Sequence, residues 1–466
     1  MWGYLKESQV TRRKLLQIAG VGGAATLATS ALAMKVAPLS ESKPMQCADF
    51  AWGRKEAALA LPSISPSSST LLDEIKERGC RFFYAEASSK TGLVRDHAPA
   101  LSAPDNQIAS IASTGFGLTA LCIAHHHGYL NRSESEQRVE TTLRFLVEDC
   151  PHVHGFLYHF INMETATREW KCEISSIDTA LLLCGVLTAR KYFAGNTKIE
   201  RLATEFYERV NWQWMLNDGD TLSMGWHPET GFIHARWNIY SELMAMYFMA
   251  IGSPTYPIPV TSWDKIVRPR LNYGGIDYIT NMDAPLFIHQ YAHAWVDFRG
   301  QQDSNTNYFI NSIKATRAHQ LWCLVEGRKF PWIDENIWGI TASGSQDGYS
   351  VRGGPPTMGN VTGTIVPSAT GGSLVFLPQE CAHVLLSIRE QYPKTWTHYG
   401  FVDAFQPHDD WYSPNVLGID QGPMVLMAEN LQTGLIWEYF MQNLEITRAM
   451  QSVGFHSELN ADRSIL

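Results

Sequence analysis

Two kinds of helical segment alternate along this chain, and the alternation restricts its fold more than any single motif. One kind is amphipathic and charged, at residues 70–83 (TLLDEIKERGCRFF), 133–149, 198–210, 307–327 and 378–392. In the first of these, Leu72, Ile75, Gly79, Phe82 and Phe83 recur at helical spacing and share a face. Ser133 followed by Glu136 has the form of a capping box at the start of the second. The other kind is nearly free of charge, at 114–128 (TGFGLTALCIAHHHG), 176–189, 240–252, 284–296, 367–376 and 421–430. A helix that is apolar on every face must be enclosed by others. Charged helices outside and apolar helices inside, in alternation, predict an all-α toroid of about six helical hairpins, ahead of a set of separate helical domains.

Composition narrows the function. The chain of 466 residues carries a formal net charge of −9, which argues against a nucleic-acid partner. Its 15 Trp, 18 Tyr and 20 Phe exceed what a generic core needs, and aromatic faces are what sugar rings stack on. Residues 1–34 read as a targeting segment: Arg12 and Arg13 precede a mildly apolar run from Leu15 to Leu32, and ALA at 31–33 offers a small-residue cleavage site. The paired arginines resemble a twin-arginine signal, so the expected partner is the twin-arginine export machinery and the expected location the bacterial periplasm or beyond. Residues 35–68 (with LPSISPSSS) read as a linker, and 69–466 as one domain because no second linker follows. No later stretch reads as membrane-spanning. The eight Cys show no CxxC pair and no regular spacing, so buried thiols are expected rather than a disulfide scaffold.

The acids of the apolar helices gather at their starts: Asp178 in SSIDTALL, Glu242 in YSELMAMY, and Asp420 before QGPMVLM. In a ring of hairpins those starts open on one mouth. Each acid alone could merely complement a helix dipole. Three around one pocket match the paired carboxylates of glycosidic-bond cleavage. Long loops at 154–162, 335–354 and 400–415 would rim this mouth. They carry Trp338, Tyr349, Trp411 and Tyr412 among Asp347, Asp403 and Asp410, planar faces and short polar groups suited to a carbohydrate. Tyr240, Gln290, Tyr291 and Gln421, beside the helix starts, complete the expected substrate-binding set.

Other motifs point elsewhere and carry less. His125, His126 and His127 end an inner helix, where histidines complement the C-terminal dipole, and consecutive helical residues share no face for a metal. Cys150, His152 and His154 have alternating spacing but no evident fourth ligand, which favours loop packing over zinc. GFG at 115–117 does not follow a strand, so it is no dinucleotide loop, and the chain has no G-x-S-x-G elbow. No cofactor and no metal are expected.

In order along the chain, TGFGLTAL, GVLTARKYF, SELMAMYFMAIGSPTYPIP, ENIWGITASGSQDGYS, GFVDAF and GIDQGPMVLMAENLQTGLIW resemble the glycoamylase-like family, which includes the β-1,2-glucanases of glycoside hydrolase family 144. The resemblance spans about residues 70–455 and implies an (α/α)6 barrel and an exported enzyme acting on β-linked glucans, most expectedly β-1,2-glucan. It makes Glu242 the general acid, its pKa raised by apolar neighbours, and places Asp420 on the Asp of the family's DQGP motif. Asp420 or Asp178 would activate water, with inversion. The chain departs from the family at Ser175, where an acid is usual, at Asp178, where Glu is usual, and at Gln290, where His is common. Transfer to a sugar, a non-hydrolytic carbohydrate-binding role, and α-glucan hydrolysis are the alternatives.

Overall fold

Ser65 and Pro66 begin the helical body. The computed structural model describes residues 63–457 except 105, 282–284 and 356–360. The expected targeting segment, and the linker as far as residue 62, lie outside the described residues. Helix α1 (Pro66–Ala85) starts inside the stretch read as linker, with Ser65 Oγ accepting from the Ser68 amide at 3.1 Å. The Ser-Pro pair that looked like punctuation is an N-cap followed by proline at the first helical position.

The helices that follow are α2 (Ile111–His126), α3 (Arg132–Glu148), α4 (Ser176–Tyr192), α5 (Thr197–Arg209), the short α6 (Trp212–Leu216) and α7 (Met244–Ile251). After them come α8 (Tyr291–Trp295), α9 (Tyr308–Glu326), α10 (Pro367–Gly371), α11 (Pro378–Gln391), α12 (Gly418–Gln432), α13 (Leu435–Phe440) and α14 (Leu444–Ser452). Burial sorts them as the charge pattern foresaw. Helix α2 is buried continuously from Ile111 to Ala124, and α7 over its whole length. Helix α5 buries only Ile199, Leu202, Ala203, Phe206 and Tyr207, one stripe at helical spacing.

The inner helices are neighbours in a closed order. Helix α2 packs on α4 and α12, α4 on α7, α7 on α8, and α10 on α12. Gln290, at the start of α8, donates its amide to Ala369 O and Ser373 Oγ, both at 2.8 Å, and so ties α8 to α10. Outside them, α1 lies on α2 and α12, α3 on α2, α5 on α4, α14 on α7 and α11 on α10, while α9 lies on the 3-10 turn Leu286–His289 that leads into α8. The fold is therefore all-α, and its order of contacts is that of a six-hairpin double ring. The inner contact between α2 and α4 is the tightest in kind: a Cβ on Gly115 would press on the Leu181 carbonyl and lie 2.6 Å from Leu182 Cα, and one on Gly185 would lie 2.9 Å from Gly115 Cα.

Three local readings are corrected. Helix α3 begins at Arg132 and is capped by Asn131, whose Oδ1 accepts from the Glu134 amide at 2.9 Å; Ser133 lies inside the first turn and is no cap. Three inner segments are shorter than their apolar runs, because a stretch buried on all sides holds no periodic signal to mark its ends. Residues 240–252 are helical only over Met244–Ile251, 284–296 split into a 3-10 turn and α8, and 367–376 are helical only over Pro367–Gly371. The rim loops contain hairpins such as Ser343–Ser345 with Gly348–Ser350 and Phe405–Gln406 with Trp411–Tyr412, two or three residues per strand and too short for alternation to show. The seven described cysteines are buried free thiols. No described helix is long and apolar enough to cross a membrane.

Candidate functional site

The starts of the inner helices lie at one end of the ring, linked by hydrogen bonds and close contacts. Ile111 N, opening α2, donates to His159 O at 3.3 Å. At the same end a Cβ on Gly418, the first residue of α12, would meet Ser113 Cβ at 2.8 Å. Trp237 Nε1, five residues before Glu242, donates to Ser176 Oγ at the start of α4 at 2.9 Å. Tyr291 OH, opening α8, donates to Ile419 O in the first turn of α12 at 3.3 Å. Asp178 and Asp420 lie in the first turns of α4 and α12, and Glu242 lies between Trp237 and the start of α7. All three are buried, with 4%, 6% and 4% of their surface exposed, so each is a carboxylate withheld from bulk water.

Asp178 has the most developed surroundings. It lies in the first turn of α4, and its amide donates to Oγ of the N-cap Ser175 at 3.0 Å. The Ser175 hydroxyl in turn donates to Asp178 Oδ2 in a short hydrogen bond. Ser175 thus caps α4 and orients the neighbouring carboxylate. On its other side His159 Nε2 lies 3.6 Å from Asp178 Oδ1, while His159 Nδ1 lies 3.2 Å from Glu173 Oε1. Sequence reasoning did not single out His159 or Glu173. They are 14 residues apart on a loop and a strand end, and no pattern in the chain couples them. Phe160 stacks on the His159 ring at 3.9 Å and 15°.

Glu242 is not in the first turn of its helix but two residues ahead of α7, in a turn flanked by buried Tyr240 and Ser241. Tyr240 OH pairs with His289 Nδ1 at 3.1 Å, and burial pushes the His289 pKa down to about 3, so the pair is neutral. Asp420 lies in the first turn of α12, where the helix dipole favours a negative charge.

The remaining expected residues divide by burial. Trp338 is fully buried and packs toward His319, so it presents no face for a sugar: the rim position assumed for it is wrong because its segment turns into the core. Tyr240, Gln290, Tyr291 and Gln421 are all at most 2% exposed and spend polar atoms on the protein, as with Gln421 Nε2 donating to Phe401 O at 2.8 Å. Asp403 Oδ2 accepts from Gly344 N at 2.6 Å and locks one rim hairpin to another. Asp347 is exposed, and Tyr349, Trp411 and Tyr412 are partly so. Tyr412 stacks on Phe405 at 5.9 Å with nearly parallel planes, which keeps its ring rigid.

The histidine run resolves at the opposite end of α2. His125 Nδ1 pairs with Tyr192 OH at 2.7 Å, and His127 Nε2 with Glu429 Oε2 at 2.7 Å. Burial raises the Glu429 pKa, but the His127 hydrogen bond and the Lys76 charge more than offset this and hold it below the usual value. In the 150–154 segment His154 stacks on Trp214 at 4.5 Å and His152 Nδ1 accepts from Gly155 N at 3.2 Å, a packing role for both. Among the described residues, two groups bring possible ligand atoms within 4.8 Å of one another, His126–His127–Glu429 and His159–Glu173–Asp178.

Residues 234–444 match the Glycoamylase family model. The chain is 26% identical over 423 residues to an exo β-1,2-glucooligosaccharide sophorohydrolase (non-reducing end) of Parabacteroides distasonis, covering 82% of this chain and 57% of that protein. It thus spans little more than half the length of that curated relative. Among solved structures it resembles an endo-β-1,2-glucanase of Chitinophaga pinensis, in complex with sophorotriose and glucose, at a TM-score of 0.77 and 25% identity, over 85% of this chain and 99% of that one. A β-1,2-glucanase from Parabacteroides distasonis gives the same TM-score and identity, over 83% of this chain and 60% of that one.

Proposed function

Starting from its resemblance to the glycoamylase-like family, we propose that this chain is an exported glycoside hydrolase acting on β-1,2-linked glucan or its oligosaccharides, with residues 69–466 as one catalytic domain. The observation that supports the reading is that three carboxylates at or just ahead of inner-helix starts, Asp178, Glu242 and Asp420, are all buried. The names of the relatives supply the substrate class. Cleavage needs one group to protonate the departing glycosidic oxygen and another to draw a proton from water on the opposite face of the sugar. Glu242, in its apolar turn, is assigned the first task. Asp420 or Asp178 takes the second. Asp420 has the favourable end of a helix dipole, and Asp178 has Ser175 and His159 to orient it. An inverting reaction asks for working carboxylates roughly 6.5–9.5 Å apart, leaving room for the water. Export rests on Arg12 and Arg13 ahead of the apolar run.

The test is product analysis. Purified protein incubated with linear β-1,2-glucan is expected to release new reducing ends, and with a panel of β-1,3-, β-1,4- and α-1,4-glucans to release few. Glu242→Gln is expected to lower turnover by about 10²–10⁴-fold, the usual contribution of a general acid. A Glu242→Gln protein with full activity removes the proposed acid, and a preference for α-1,4-glucan removes the linkage.

A further inference from the structure

Residues 169–172 form a turn that its sequence does not favour. Cys172 N donates to Glu169 O at 3.0 Å, and the two central residues, Trp170 and Lys171, have φ of 50° and 49°. Positive φ at both central positions marks a type I′ turn, which selects Asn-Gly and strains any bulky side chain. The strain is held in place from outside. Arg168 donates from Nε to Cys172 O at 2.5 Å and from Nη2 to Lys171 O at 2.6 Å. Its Nη1 also reaches Glu229 Oε1 at 2.6 Å, and its guanidinium lies 5.1 Å over the Tyr158 ring. Asn162 Nδ2 adds a bond to Glu169 Oε1 at 3.1 Å.

This scaffolding holds an indole out in solvent. Trp170 is 41% exposed, the one tryptophan among the large exposed apolar side chains of the described residues. It meets Phe160 edge-on at 4.8 Å, Phe160 stacks on His159, and His159 faces Asp178. An exposed aromatic, fixed by a strained turn and joined through two rings to a carboxylate of the mouth, has the attributes of a binding surface rather than of a core.

We propose that Trp170 is a stacking platform for a glucosyl unit of the substrate, a subsite on the α4 side of the mouth. The apolar C–H face of a pyranose would lie on the indole, and the exposed Lys171 beside it would reach the hydroxyls. The rigid turn prepays the ordering of the platform. The class of ligand, a glucan, rests on the function proposed above; the platform itself rests on the turn.

Two substitutions test it. Trp170→Asn with Lys171→Gly installs the residues that a type I′ turn prefers, so the fold should be kept and the thermal midpoint should hold or rise. Trp170→Ala removes the ring alone. Each is made in a Glu242→Gln background, so that oligosaccharides survive titration, and affinity for linear β-1,2-, β-1,3-, β-1,4- and α-1,4-glucooligosaccharides is measured by calorimetry. The expected result is an affinity about tenfold weaker for chains longer than the disaccharide in both variants, equivalent to about 1.4 kcal/mol. Unchanged affinity in the folded double variant overturns the platform, as does a parent that binds none of the panel. If the loss appears for another linkage while β-1,2 chains neither bind nor are cleaved, the platform stands and the substrate reading above falls.

Discussion

Replacing Gly115 with alanine perturbs the closest approach in the inner ring, where α2 and α4 touch backbone to backbone. On helix propensity alone the change should stabilise the protein, because alanine is favoured over glycine in a helix by about 1 kcal/mol. Packing opposes this. The new Cβ would press on the Leu181 carbonyl and lie 2.6 Å from Leu182 Cα, and neither is the flexible end of a side chain. Relief therefore requires the two helices to part by roughly 1 Å, and overpacking of this kind costs typically about 1–3 kcal/mol, sometimes more. With the contact made to backbone, the upper end applies. The net effect is a loss of about 2 kcal/mol, read as a lowered urea midpoint with an unchanged slope. Helix α4 also carries Asp178, and a misplacement of about 1 Å can lower turnover by about 10²-fold. Gly185→Ala, whose Cβ would meet Gly115 from the other side, should act the same way, and the two losses should not add. A Gly115→Ala protein as stable as the parent or more so would mean that propensity is unopposed, and the helix pair would not be in contact as described.

Other outcomes follow from the site and the core. Ser175→Ala removes the cap of α4 and one partner of Asp178; a stability loss of about 1 kcal/mol by denaturant titration is expected, together with slower release of reducing ends if Asp178 takes part. His159→Leu leaves Glu173 and Asp178 facing each other across an apolar group. The expected loss is about 3–5 kcal/mol, measured by urea titration, and a variant as stable as the parent contradicts it. His289, His293 and His319 are buried, and burial brings each to about pKa 3 from an ordinary 6.5. Because the unfolded chain binds these protons first, their contribution is whole above pH 6.5 and is lost as the pH falls toward 3, at up to about 1.4 kcal/mol per pH unit for each ring. Urea midpoints measured between pH 7 and pH 4 check this, and a midpoint that holds constant over that range contradicts it.

The sequence by itself determined the ring. Whether a helix is apolar on one stripe, as α5 is, or all round, as α2 and α7 are, settles which must be enclosed, and that is a local property of residue type and spacing. It also marked Asp178, Glu242 and Asp420, since a carboxylate at the edge of an apolar run stands out from its neighbours. Tertiary structure alone decided the rest. Trp338 and Trp170 are the same residue type in loops of similar character, yet one is sealed in the core and the other held in solvent. His159 and Glu173 became partners of Asp178 only when a loop and a strand end were laid across the start of α4. Periodicity reports the environment of a segment that repeats; a loop does not repeat, so where its side chains point is set by the distant backbone that clamps it, as Arg168 clamps the turn at Trp170.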